Sequence, residues 1–123
     1  MSELDIAFDR DGRTQVLSVR GELDLDSAPK LEAAFARLEA DPPERLLIDL
    51  GECEFIDSGG LAVLFHGARS LHGEKGSVRI ACPEGNLREL LRITAIDQTI
   101  PVVATRREAL AALGLEEGGA AEP

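Results

Sequence analysis

The residues best placed to do chemistry stand together in Phe55-Ile56-Asp57-Ser58-Gly59-Gly60-Leu61, where an apolar stretch hands a serine to the start of a helix. A serine there can attack as a nucleophile, bind an anion alongside backbone N–H groups, cap the helix, or accept a phosphoryl group. The nucleophile reading wants the Gly-x-Ser-x-Gly turn of a hydrolase, and Ile56 occupies the first glycine position. It also wants a base. The two histidines, His66 and His72, lie on or just after the same helix, and His66 sits about 140° around it from Leu61, toward solvent. The anion-cradle reading lacks a Gly-x-Gly-x-x-Gly or a Walker lysine, and Glu52, Glu54 and Asp57 would repel a nucleotide. No cofactor is therefore expected.

A simple cap at Asp57 or Ser58 would contribute about 1 kcal/mol. Two glycines in the first turn, however, cost about 1 kcal/mol each relative to alanine. Bare backbone at Gly59 and Gly60 suits a site that another surface approaches closely. That favours Ser58 as an exposed group acted on by a partner. A zinc site is not expected, because Cys53, His66, His72 and Cys82 are too scattered. The two cysteines read as reduced, half-buried thiols.

The positioning elements follow from periodicity. Leu4, Ile6 and Phe8 alternate with polar residues, Asp11-Gly12 offers a hairpin turn, and Leu17 and Val19 continue a second strand. Leu31, Ala34, Phe35 and Leu38 predict a helix from Ser27 to Glu39, with Asp26 or Ser27 as its cap. Leu46, Leu47, Ile48 and Leu50 form the near-continuous apolar run of a strand covered on both faces. A helix over 58–71 would bury Leu61, Leu64, Phe65 and Ala68. A strand over 78–81 and a helix through Leu87, Leu90 and Leu91 follow, with Arg88 and Arg92 on its solvent face. An edge-like strand over 100–103 is next, since Pro101 cannot donate to a ladder. Thr105 to Glu108 is a capping box opening a last helix, which Gly114 is expected to stop, leaving 114–123 as a disordered acidic tail. Glu52, Glu54 and Asp57 are read as the solvated rim of an exposed loop.

Composition narrows the function class. The 123 residues carry 23 acidic and 13 basic side chains, a net charge of −10, with four Phe and neither Tyr nor Trp. Such a chain suits neither nucleic acid nor an anionic membrane surface. No apolar stretch approaches the ~20 residues of a membrane span, and Met1 to Arg10 carries no secretory pattern, so a cytoplasmic setting is expected.

Two segments carry a family resemblance. Leu46-Leu47-Ile48-Asp49-Leu50 followed by Phe55-Ile56-Asp57-Ser58-Gly59-Gly60-Leu61 resembles the signature of STAS domains, specifically the bacterial anti-sigma factor antagonists (anti-anti-sigma factors). Upstream, Gly21-Glu22-Leu23-Asp24 and then Ser27-Ala28 is similar to that family's strand-to-helix motif. The resemblance spans residues 3 to 113. It implies an α/β STAS fold over 1–113, a mixed, mostly parallel sheet of four to five strands with about four helices.

It also implies a non-enzymatic regulator. In the family the serine after the loop Asp, here Ser58, is phosphorylated by an anti-sigma factor with a histidine-kinase-like ATPase fold. The unmodified form binds that partner and frees a sigma factor; phosphorylation ends that binding, and a serine phosphatase restores it. Partner contacts would fall on Leu23, Asp24, Ser27, Asp57, Ser58, Gly59, Gly60 and Leu61. Gly59 departs from the Ser, Thr or Ala usual after the acceptor. Within the same fold, the alternative is a soluble STAS subunit docking on an ABC transporter ATPase or in a signalling assembly. Outside it, the alternative is a small serine hydrolase.

Overall fold

Alternating apolar residues at the start of the chain form a hairpin of β1 (Leu4–Asp11) and β2 (Thr14–Leu23), antiparallel, with Asp11 opposite Thr14. The two-residue turn is therefore Gly12-Arg13, one residue later than expected, with Gly12 at φ +60°. A computed structural model of the chain describes residues 3–73 and 76–121, and side chains as far as residue 114.

From β2 the chain alternates helix and strand: α1 (Ala28–Ala40), β3 (Arg45–Asp49), β4 (Cys53–Ile56), α2 (Ser58–Leu71), β5 (Ser77–Ala81), α3 (Asn86–Ile93), β6 (Val102–Val103) and α4 (Arg106–Ala121). The strands form one six-stranded sheet in the order β1-β2-β3-β5-β6, with β4 beside β2, and every pairing except β1–β2 is parallel. The sheet is the expected mixed, mostly parallel one, and β4 is the addition. β2 pairs with β3 over Gln15–Ser18 and with β4 over Gly21–Leu23. The handover falls at Gly21, where the register shifts. Gly21 has φ +93°, and a Cβ there would lie 1.9 Å from the Glu3 carbonyl oxygen, so only glycine fits the bend.

The sheet buries both faces. Leu17, Val19, Leu23, Leu46, Ile48, Ile56, Val78 and Ile80 pack under α1, α2 and α3. Val16, Leu47 and Ala81 point the other way, onto Ala109 and Leu113 of α4. Alternate residues of one strand thus serve two cores, which is why β3 reads as a continuous apolar run.

Five local expectations are corrected. Glu54 lies on strand β4 and not in a loop, because Cys53–Ile56 pair with the far half of β2. Strand β6 is only Val102–Val103; Ile100 is buried instead at the end of a turn, its N–H bonded to the Ile96 carbonyl. Leu61 and Phe65 are only partly buried on α2, packing at the margin of the larger core. Arg88 does not face solvent: its guanidinium donates to the Cys82 and Val102 carbonyls at 2.9 and 3.2 Å, tying the exit of β5 to β6. Finally, α4 continues past Gly114 to Ala121, since a glycine inside a helix costs only about 1 kcal/mol and does not by itself end it. The capping box that opens α4 forms as read: Glu108 N–H donates to Thr105 Oγ at 3.1 Å, and Thr105 N–H to Glu108 Oε1 at 3.3 Å.

Candidate functional site

Because β2 and β4 run parallel, with Leu23 opposite Ile56, their C-terminal ends deliver two loops side by side. One is Asp24–Ser27 before α1; the other is the tight Asp57 junction into α2. Ser58, the first residue of α2, stands exposed.

Asp57 joins the two loops. Its backbone N–H donates to the Leu23 carbonyl at 3.1 Å. Its carboxylate divides between two donors: Oδ1 accepts from Gly60 N–H at 2.8 Å, capping α2, and Oδ2 accepts from Leu25 N–H at 3.1 Å, in the other loop. The Asp24–Ser27 loop is closed on itself. Ser27 N–H donates to Asp24 Oδ1, Asp24 N–H to Ser27 Oγ, and Ser27 Oγ–H to the Glu22 carbonyl, each at 2.9 Å. Ser27 is the residue before α1, but its side chain makes no cap there; it is spent on the loop. The Ser27 backbone N–H, and after it the hydroxyl, holds the Asp24 carboxyl below the usual carboxylate range.

The expected contact residues separate into outward and inward groups. Ser58 is exposed, and Asp24, Ser27, Asp57, Gly59 and Leu61 are half-buried at the same end. Leu23 is fully buried, so its side chain belongs to the core and not to a partner surface. Gly60 is buried too, and for an internal reason. A Cβ there would lie 2.5 Å from the Leu23 carbonyl oxygen and 2.6 Å from Leu23 Cγ, so glycine lets α2 approach β2. Gly59 faces Leu25: its Cβ would stand 3.1 Å from Leu25 Cδ1.

The exposed apolar residues of this region, Leu25 at 72% exposure and Phe55 at 48%, were not anticipated from sequence. The available signal was a lone leucine between Asp24 and Asp26, outside the helical pattern.

The geometry places neither histidine as a base for Ser58. His66 lies eight residues along α2 from Ser58, about 12 Å of helix rise, and is exposed. His72 follows the far end of α2, where its Nδ1 accepts from Val78 N–H at 3.0 Å. Both cysteines are free, with Cys53 half-buried and Cys82 buried. Among the described residues no His, Cys, Asp and Glu side chains cluster as metal ligands, and no helix is long and apolar enough to cross a membrane.

Comparison with known proteins gives this arrangement a family. The model of the family described as "Mlab, STAS domain" matches residues 6–104. The anti-sigma-F factor antagonist RsfB of Mycobacterium tuberculosis is 33% identical over 95 residues, 77% of each chain. The crystal structure of an anti-sigma factor antagonist from Mycobacterium paratuberculosis is similar with a TM-score of 0.84 and 32% identity, covering 90% of this chain and 94% of that one. The fold is also that of the Bacillus protein SpoIIAA. Its unphosphorylated form matches with a TM-score of 0.67 and 19% identity (88% of this chain, 96% of that one), and its phosphorylated form with 0.66 and 19% (88% and 98%). The chain belongs to the STAS domain family, among the anti-sigma factor antagonists.

Proposed function

We propose that this chain, unmodified, binds a kinase-fold anti-sigma factor through its Asp24–Ser27 loop and the Ser58 end of α2. Phosphorylation of Ser58 by that partner ends the binding, and a serine phosphatase reverses it. The observation that carries the reading is an exposed Ser58 at a helix N-terminus, locked to a second loop by the two-armed Asp57 carboxylate.

The size of the switch follows from charge. A phosphate adds about −1.5 to −2 charges at neutral pH. The dipole at the start of α2 favours that charge by roughly 0.3–1 kcal/mol, so the domain tolerates it. An interface built around Asp24, Asp26 and Asp57 does not. A like-charge contact near 4 Å costs about 1 kcal/mol in water and up to ~4 kcal/mol where the site is partly dehydrated. A loss of ~4 kcal/mol is about a thousandfold in affinity. Local repulsion at the contact therefore suffices, with no refolding.

The test mixes the protein with kinase-fold anti-sigma factors and ATP and follows intact mass. Addition of one phosphate, lost in Ser58→Ala, is the expected result. Failure of every such kinase to modify or bind the protein would overturn the reading. Labelling of Ser58 by a fluorophosphonate would replace it with a hydrolase.

A further inference from the structure

Among the described residues the large apolar side chains that stand exposed are Leu25, Phe55 and Ile93. Leu25 is 72% exposed and lies against Gly59, the residue after Ser58. Its loop is not loose. The Leu25 N–H is held by Asp57, and the residues around it are tied by the Asp24–Ser27 pair and by Ser27 to the Glu22 carbonyl. An apolar side chain displayed on a backbone already fixed loses little ordering entropy when it is bound.

Its seat is Gly59. Leu25 Cδ1 and Cβ lie 3.1 and 3.4 Å from where a Cβ on Gly59 would be. A Cβ at position 59 would require Leu25 to give by a few tenths of an ångström. The missing side chain after Ser58 therefore lets Leu25 lie a few tenths of an ångström closer to the first turn of α2.

The surroundings select the occupant. Asp24 and Asp26 flank Leu25 in the chain, and Asp57 touches it. A second copy of this chain, of net charge −10, would set acid against acid, and so would an anionic lipid surface. A partner with an apolar socket rimmed by Arg or Lys fits. We infer that Leu25, seated on Gly59, is the apolar anchor by which the kinase-fold anti-sigma factor docks beside Ser58. This rests on the proposed function and adds to it the contact that positions the acceptor hydroxyl. On this reading Gly59 and Leu25 form one recognition unit.

The test measures binding of wild type, Leu25→Ala, Leu25→Met, Gly59→Ala and the Leu25→Ala/Gly59→Ala double variant to immobilised kinase-fold anti-sigma factors of the same genome. Rates of Ser58 phosphorylation are followed in parallel, and circular dichroism melts confirm folding. Leu25→Ala weakens binding roughly ten- to a hundredfold, the worth of one buried leucine, and lowers kcat/KM for phosphorylation by a similar factor. Leu25→Met stays within about threefold, since it keeps the apolar volume. Gly59→Ala loses less than Leu25→Ala, and the double variant binds no worse than Leu25→Ala alone, because the two residues act through one contact. If wild type binds and Leu25→Ala binds within twofold of it, the anchor is wrong while the proposed function stands. If wild type neither binds nor is phosphorylated by any of these partners, the proposed function fails and the anchor falls with it.

Discussion

Replacing Asp57 by asparagine separates two roles that a carboxylate fills at once. Oδ1 caps α2 through Gly60 N–H, and Oδ2 holds the neighbouring loop through Leu25 N–H. Asparagine caps helices about as well as aspartate, so a residue whose only task was capping would tolerate the change with almost no loss. Asparagine has one oxygen, however. If it keeps the Gly60 bond, its NH2 group is turned toward the Leu25 N–H, and one hydrogen bond becomes a donor–donor contact. That bond lies at the surface, where water can replace it, so its loss costs about 0.5–1.5 kcal/mol. Asp57→Ala loses the cap as well, a further ~1 kcal/mol, and should reach about 2 kcal/mol in total. Urea denaturation read by far-UV circular dichroism gives both numbers. Amide hydrogen exchange distinguishes the arms: in Asp57→Asn the Leu25 amide loses protection while the Gly60 amide keeps it. If Asp57→Asn is as stable as wild type within 0.3 kcal/mol and Leu25 exchange is unchanged, the two-armed clamp does not exist as argued.

Three other outcomes follow from the packing. Gly60→Ala should destabilise by about 1–3 kcal/mol despite its ~1 kcal/mol gain in helix propensity, because its Cβ meets the Leu23 backbone at 2.5 Å; thermal melts check this. Arg88→Met keeps the aliphatic stem but strips the Cys82 and Val102 carbonyls of a donor, so a loss near 2 kcal/mol is expected, with faster exchange of the Cys82 amide that pairs with β6. Burial pushes the Cys82 thiol up to about 11 from an ordinary value near 9, so the folded form holds that proton longer than the unfolded form. The resulting stability is complete below pH 9 and is lost as pH rises from 9 toward 11; denaturation midpoints across that window should fall less steeply in Cys82→Ala.

What could be read from sequence divides along the range of the forces involved. The hairpin, the cap at Asp57, the Thr105–Glu108 box and the doubly covered β3 depend on neighbours within a few residues, and each left a local pattern. β4 left none: its four residues become a strand only because Gly21 bends β2 away from β3 and exposes a free edge. Arg88 shows the same limit. Its spacing from Arg92 and Glu84 reads as a solvated helix face, and an ion pair with Glu84 does form at 3.7 Å, yet the guanidinium's main partners are backbone carbonyls 6 and 14 residues away. Gly60 was legible as a site needing bare backbone, but the surface approaching it is the protein's own strand.

The packing of Gly60 decides how the Ser58 end of α2 is built. If both glycines after Ser58 existed to admit a partner, the first turn of α2 would be open and weakly held, and a phosphate could unwind it. Gly60 is instead pressed against β2 and its N–H is bound by Asp57. The turn that carries the hydroxyl is thus fixed from below by packing and from the side by the cap, while Ser58 itself remains exposed. A rigid base under an exposed serine means that charge added there would have few ways to relax inside the domain. Its cost appears at whatever surface covers Ser58, which is the condition for a modification that breaks an interface and leaves the fold intact.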